Sequence, residues 1–208
     1  MTKVKICGIT NLDDALMSVD AGADAIGFNF YEKSPRFIAP DAASYIISKL
    51  PPKILKVGVF VDCGLKETER ILSTTPLDFV QLHGEEGPDF VNRLVTLTGS
   101  KVIKVIRVST HANFTAVADY DVAHFLLDTY SSAFGGSGET FDWESAVKFK
   151  DLAHAFYLAG GLTPENVGEA IRKVRPFAVD VCSGVESTKG RKDPSKVAAF
   201  IRNAKSAL

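Results

Sequence analysis

Short runs of β-branched and aromatic residues alternate with longer amphipathic stretches from one end of the chain to the other. The short runs predict eight strands: Val4 to Cys7, Ala25 to Phe30, Leu55 to Val61, Phe79 to His83, Val102 to Val108, His124 to Asp128, Phe156 to Ala159 and Ala178 to Cys182. Between them the helical period predicts helices over 12–21, 40–49, 65–74, 88–98, 111–118, 143–153, 165–173 and 194–206. Start signals mark several: Asn11 with Asp14 three residues on, Asp142 before Trp143, Thr163 followed by Pro164, and Asp193 followed by Pro194. The fifth helix has the weakest pattern.

Eight strand and helix units in 208 residues come to 26 residues each, short but workable for a (β/α)8 barrel, whose usual length is about 250 residues. The expected fold class is therefore α/β, a single (β/α)8 TIM barrel forming one catalytic domain over residues 1–208, because no linker divides the chain. A doubly wound open sheet is the structural rival. It would normally carry GxGxxG after its first strand, where this chain has Cys7-Gly8-Ile9-Thr10.

Charge and composition narrow the function. With 24 Lys+Arg against 25 Asp+Glu, the net charge of -1 leaves no positive excess for gripping nucleic acid or anionic lipid. Hydrophobic residues at 46% argue for a folded, core-forming chain rather than a disordered one. No apolar run approaches the ~18 residues that span a bilayer, and MTKVKICGIT lacks the apolar stretch of a secretory signal. Cys7, Cys63 and Cys182 are odd in number and widely spread, against a disulfide framework and in favour of a reducing compartment. The expectation is a cytoplasmic protein, monomer or homodimer, with no nucleic-acid or membrane partner.

In such a barrel the chemistry sits at the C-terminal ends of the strands. Alternation assigns Val4, Ile6, Val57, Val59, Val61, Val80, Leu82, Val179 and Val181 to the helix-facing side. Lys5, Cys7, Asp62, Gln81, His83, Asp180 and Cys182 then fall to the lumen, a polar set where Val, Ile and Leu are usual, which suggests a functional mouth. Gly160-Gly161 after the seventh strand and Ser183-Gly184 after the eighth occupy the recurrent phosphate-binding loops of barrels, and so imply a small phosphorylated ligand.

Cys7 ends the first strand with Lys5 on the same face, and a nearby cation favours the proton-accepting thiolate; the alternative is a small buried residue. Asp128 closes the sixth strand, where an apolar mouth would keep a carboxyl protonated as an acid; the alternative is a loop cap. Arg36, after Pro35, is placed to hold a carboxylate through two hydrogen bonds, or is an ordinary surface arginine. Gly135-Gly136-Ser137-Gly138 reads as a lid or a tight turn.

These motifs together resemble the phosphoribosylanthranilate isomerase family of tryptophan biosynthesis. The resemblance runs nearly end to end: Lys5-Ile6-Cys7-Gly8-Ile9-Thr10, Gly27-Phe28 with Ser34-Pro35-Arg36, Val57-Gly58-Val59-Phe60, Gln81-Leu82-His83-Gly84, Asp128 with the later Gly136-Ser137-Gly138 and Phe141-Asp142-Trp143, Leu158-Ala159-Gly160-Gly161-Leu162, and Asp180 with Ser183-Gly184-Val185-Glu186. Each is short, but their order and spacing are specific. Cys182 stands where the family usually has serine, and Asn29 replaces a commoner apolar residue.

The resemblance implies a cofactor-free Amadori rearrangement of an aminoaldose to a ketose. Asp128 matches the general acid, Cys7 the general base and Arg36 the group that binds the anthranilate carboxylate. Gly160, Gly161, Ser183 and Gly184 match the phosphate site, and Asp180 a residue that orients the sugar. The aminoaldose isomerase of histidine biosynthesis is a rival, but it pairs aspartates from strands one and five, and the fifth strand here has no acid. Indole-glycerol-phosphate synthase is another, but it needs strand-end lysine and glutamate, which Lys5 alone does not supply. A zinc site from Cys7, Cys63, Cys182 and His83 lacks CxxC spacing. A non-catalytic phosphate-binding barrel would leave Cys7 and Asp128 without a purpose.

Overall fold

Eight parallel strands close into a barrel in chain order in the computed structural model, which describes residues 1–108, 114–129, 143–153 and 155–208. They are β1 (Lys3–Ile6), β2 (Ala25–Asn29), β3 (Leu55–Phe60), β4 (Phe79–Leu82), β5 (Lys101–Val108), β6 (His124–Thr129), β7 (Phe156–Leu158) and β8 (Ala178–Val181). β8 returns to β1 with Lys5 opposite Asp180 and Ile6 opposite Val181. This closure brings residues 175 positions apart in sequence side by side and leaves the barrel sheet without an open edge.

Seven α-helices occur among the described residues: α1 (Leu12–Asp20), α2 (Pro40–Ile47), α3 (Leu65–Thr74), α4 (Pro88–Thr98), α5 (Trp143–Phe149), α6 (Val167–Val174) and α7 (Pro194–Lys205). Their ends have local causes. Asn11 Oδ1 accepts the Asp14 N–H at 2.9 Å and opens α1, while Asp193 accepts from Lys196 N–H at 3.0 Å ahead of Pro194 and opens α7. Gly99 ends α4 in the left-handed conformation, with φ 65°. A short hairpin, β9 (Glu186–Thr188) and β10 (Arg191–Lys192), lies between β8 and α7.

Three helix expectations change. In place of a fifth α-helix over 111–118, the described residues show a 3-10 turn at Thr115–Asp119; residues 109–113 lie outside the description. The helix expected over 143–153 ends at Phe149. That expected from 165 begins at Val167, because Thr163 and Asn166 first form a turn in which Asn166 Oδ1 accepts the Thr163 N–H at 2.8 Å. Asp142 and the Gly135 to Gly138 segment also lie outside the described residues.

Two apolar cores result. The larger packs the outer faces of the strands against the helices, and Val4, Ile6, Val80, Leu82, Val179 and Val181 belong to it as alternation predicts. The smaller fills the lumen with Val57, Phe79, Ile103, Leu126 and Tyr157 among others.

β3 overturns its expected facing. Val57 sits in the lumen core and Val59 and Val61 line the mouth, while Phe60 packs outward against Phe30 at 5.3 Å between ring centroids. Val-Gly-Val-Phe-Val is apolar on both faces, so its period carries no direction; the register Gly27↔Val57↔Phe79 supplies it. Asp62 accordingly does not face the lumen. It takes φ 47° in the following turn, where its N–H donates to Glu86 Oε1 and its Oδ1 accepts the Glu85 N–H. No helix among the described residues is long and apolar enough to cross a membrane.

Candidate active site

The strand ends enclose a pocket of about 510 Å3 at the C-terminal mouth, within the usual size for a small-molecule site. Cys7, Arg36, Asp128, Asp180, the Gly160-Gly161 pair and Ser183-Gly184 all line it. Every site residue expected from the sequence therefore meets in one cavity, although they come from the ends of five different strands and the loops that follow them.

Its floor is ionic. Lys5 is fully buried and donates to both Asp180 carboxylate oxygens at 2.9 Å. Burial pulls the Lys5 ammonium down, but Asp180 and the Cys7 thiol outweigh it and hold it above the ordinary lysine value. Burial pushes the Asp180 carboxyl up to about 7 despite the lysine, so the acid is poised near neutrality. This pair is the direct outcome of barrel closure, since Lys5 and Asp180 are register partners.

Cys7 is almost completely buried beside Lys5, and it does not stand alone. The neighbouring Cys182 thiol together with burial raises Cys7 above the ordinary thiol value even against Lys5. Cys182 moves the other way, to about 7, because the neighbouring Cys7 thiol and the charges of Lys192 and Arg36 outweigh burial and Glu186. Of the two thiols Cys182 is the more readily ionised, because Lys192 Nζ lies 3.8 Å from its sulfur, although Glu186 Oε1 is also 4.0 Å away, while Lys5 is shared between Asp180 and Cys7.

Arg36 is no ordinary surface arginine. It is 9% exposed, and Nε and Nη2 donate to the two Glu186 oxygens at 2.8 and 2.7 Å. Glu186 in turn accepts from Lys192 Nζ at 3.3 Å and from the Gly190 N–H at 3.2 Å. Although burial raises the Glu186 carboxyl, these partners bring it below the usual carboxylate range. A guanidinium has two forked edges; with one on Glu186, the edge formed by Nη1 and Nη2 is left to meet a second carboxylate.

Asp128 lies against His83 rather than in an apolar setting, with Nε2 3.1 Å from Oδ2. Gln81 Nε2 approaches His83 Nδ1 at 3.4 Å; when the amide donates there, Nε2 carries the ring proton toward Asp128. The His83 backbone is itself fixed, because Arg107 Nη2 donates to its carbonyl at 2.9 Å. Behind it, buried Lys104 donates to Gly84 O at 2.7 Å and to Glu86 Oε2 at 2.8 Å.

On the far wall Gly160 and Gly161 adopt φ 81° and 63°, a conformation open to glycine. Gly184 is required for a different reason: a Cβ there would overlap the Leu162 carbonyl oxygen, so the loops after β7 and β8 touch backbone to backbone. Sequence reading missed the anchoring roles of Glu186 and Lys192 and the pairing of His83 with Asp128. Glu186 was visible only as the end of the Ser183-Gly184-Val185-Glu186 motif, with no role attached, and Lys192 carried no signal. Cys63 sits by Thr68 on α3, away from the other thiols, and no group of three metal-binding side chains occurs among the described residues.

Comparison with known proteins places these features in context. Residues 4–203 match the family described as N-(5'phosphoribosyl)anthranilate (PRA) isomerase. A curated relative of that name from Citrifermentans bemidjiense is 54% identical over 206 residues, covering 99% of this chain and 98% of the relative. The crystal structure of phosphoribosyl anthranilate isomerase from Thermotoga maritima superposes with TM-score 0.92 at 47% identity, covering 99% of both chains. A second isomerase structure, in complex with reduced 1-(o-carboxyphenylamino)-1-deoxyribulose 5-phosphate, gives 0.89 at 44% identity and the same coverage.

Proposed function

Because the chain belongs to the phosphoribosylanthranilate isomerase family of tryptophan biosynthesis, we propose that its barrel mouth rearranges N-(5-phosphoribosyl)anthranilate to the 1-deoxyribulose 5-phosphate ketose, with Asp128 as general acid and Cys7 as general base. The observation that carries this reading is the convergence of Cys7, Asp128, Arg36 and the late glycine loops on one pocket. An anionic phosphate, an anionic carboxylate and a sugar between them need such an arrangement: two anion sites with an acid and a base in the same cavity.

Asp128 protonates the ribose ring oxygen, and the ring opens to a Schiff base at C1. Cys7 then removes the C2 proton, and ketonisation of the resulting enolamine returns a proton to C1, so the reaction is balanced without an external oxidant. His83 steadies Asp128 during this step. For Cys7 to act as base it must be the thiolate of the pair when substrate is bound, with Lys5 beside it favouring that form. Arg36 uses its free edge for the anthranilate carboxylate, the backbone of Gly160, Gly161, Ser183 and Gly184 receives the phosphate, and Asp180, held by Lys5, orients the sugar hydroxyls.

The test is the decay of fluorescence of freshly formed phosphoribosylanthranilate on adding enzyme. Wild type should accelerate it, and Cys7→Ala should reduce kcat/KM at least about a hundredfold, the usual contribution of a general base, with the circular-dichroism spectrum unchanged. Wild-type kcat/KM in Cys7→Ala would overturn the assignment of the base.

A further inference from the structure

Three observations set the Cys7 and Cys182 thiols apart from a chance pair. Their backbones are held side by side: Ile6 and Val181 are register partners, and the Cys7 N–H donates to Val181 O at 2.9 Å. Adjacent strands lie about 4.8 Å apart, inside the ~4.4–6.8 Å Cα separation that a disulfide spans. Each sulfur also sits in a notch left by a glycine. A Cβ on Gly27 would come within 2.8 Å of Cys7 Sγ, and one on Gly8 within 2.8 Å of Cys182 Sγ.

The two thiols differ in access and charge. Cys182 is half-buried and lines the pocket, with Lys192 Nζ 3.8 Å from its sulfur and donating to its carbonyl at 3.1 Å. Cys7 lies deeper, on the adjacent strand end. A mouth-lining thiol with Lys192 Nζ at 3.8 Å and Glu186 Oε1 at 4.0 Å, and a second, deeper thiol on the adjacent strand end, is the arrangement of an attacking and a resolving cysteine.

We propose that Cys182 is a hydroperoxide-reactive site whose oxidation is resolved by Cys7, closing a disulfide that reversibly removes the base. The Cys182 thiolate attacks the terminal peroxide oxygen; a sulfur–oxygen bond forms, the O–O bond breaks, and sulfur is oxidised by two electrons as the peroxide is reduced to an alkoxide or hydroxide that takes up a proton. The Cys7 thiol then attacks the Cys182 sulfenic acid, forming the S–S bond and releasing water. A dithiol reductant reverses the sequence by exchange. The loss of turnover rests on Cys7 being the base; formation of the disulfide does not.

Purified full-length protein is treated with hydrogen peroxide, then assayed and mapped by peptide mass spectrometry without reduction. The expected result is a Cys7–Cys182 cross-linked peptide two hydrogens lighter than its parts, activity lowered more than tenfold, and recovery on adding dithiothreitol. Cys63→Ser should respond as wild type does. Cys182→Ser, scored as the ratio of its own activity before and after peroxide, should show no dithiothreitol-recoverable loss. Absence of the cross-link in wild type, or the same recoverable loss in Cys182→Ser, would overturn the proposal. A cross-linked yet fully active protein would instead overturn the role of Cys7 as base, and the switch with it.

Discussion

Replacing Glu186 by glutamine tests whether Arg36 is a positioned ligand for a carboxylate or merely a structural cation. The substitution keeps the shape of the side chain but removes a charge that accepts from Arg36 at 2.8 and 2.7 Å and from Lys192 at 3.3 Å. The amide oxygen can still serve one donor, while its NH2 faces the others. Losing one hydrogen bond between charged groups costs about 1.5–3 kcal/mol, and stranding a buried cation about 3–5 kcal/mol. A value near the overlap, about 3 kcal/mol, corresponds to a fall in Tm of about 6–12 °C for a chain of this size.

The effect has a pH signature. Glu186 titrates below its ordinary value of 4.5 in the folded protein, so its contribution is present above that value and is lost as pH falls through the lowered one. The deficit of Glu186→Gln should therefore be full at neutral pH and shrink in acid. Kinetically, a guanidinium no longer held on one edge should lose about 1.4 kcal/mol of substrate binding, a tenfold rise in KM, with kcat changed far less because the carboxylate is remote from C1 and C2. Thermal melts by circular dichroism at several pH values, with the fluorescence assay, measure both. A Tm within 1 °C of wild type would refute the energetics, and a lower Tm with unchanged KM would refute the ligand role.

Asp128→Asn should keep its fold, since an amide retains the shape beside His83, yet lose about 10²–10⁴ in kcat because it cannot donate the proton; retained turnover would move ring opening to another group. Gly184→Ala should destabilise the protein and raise KM, because its methyl would collide with the Leu162 carbonyl across the two phosphate loops; an unchanged melt would show that these loops separate easily. Lys5→Met strands Asp180, whose carboxyl is already pushed up to about 7 with the lysine present. A group with a raised value contributes stability at low pH that is lost as pH rises through it, so the Lys5→Met deficit should be smallest in acid and grow above neutrality, and a deficit independent of pH would sink this account.

The placement of eight strands and most helices was legible because burial repeats at fixed local periods, and α3 and α4 were bounded correctly at both ends. The candidates at the mouth were legible too, since a barrel gathers the ends of all its strands there: Cys7 after β1, Arg36 after β2 and Asp128 near the end of β6 stood out by position, while the roles assigned to them came from the family resemblance. β3 was not, because a strand apolar on both faces takes its orientation from its neighbours. Nor were the protonation states. Lys5 as a neighbour of Cys7 implied a thiolate, but closure of the barrel makes Lys5 share itself with Asp180 and brings Lys192 to Cys182. Glu186 reaches Arg36 across 150 positions of chain. Local pattern records which side chains avoid water. The partner a buried charge finds, and hence which group keeps its proton, depends on distances that exist only once the first and last strands have met.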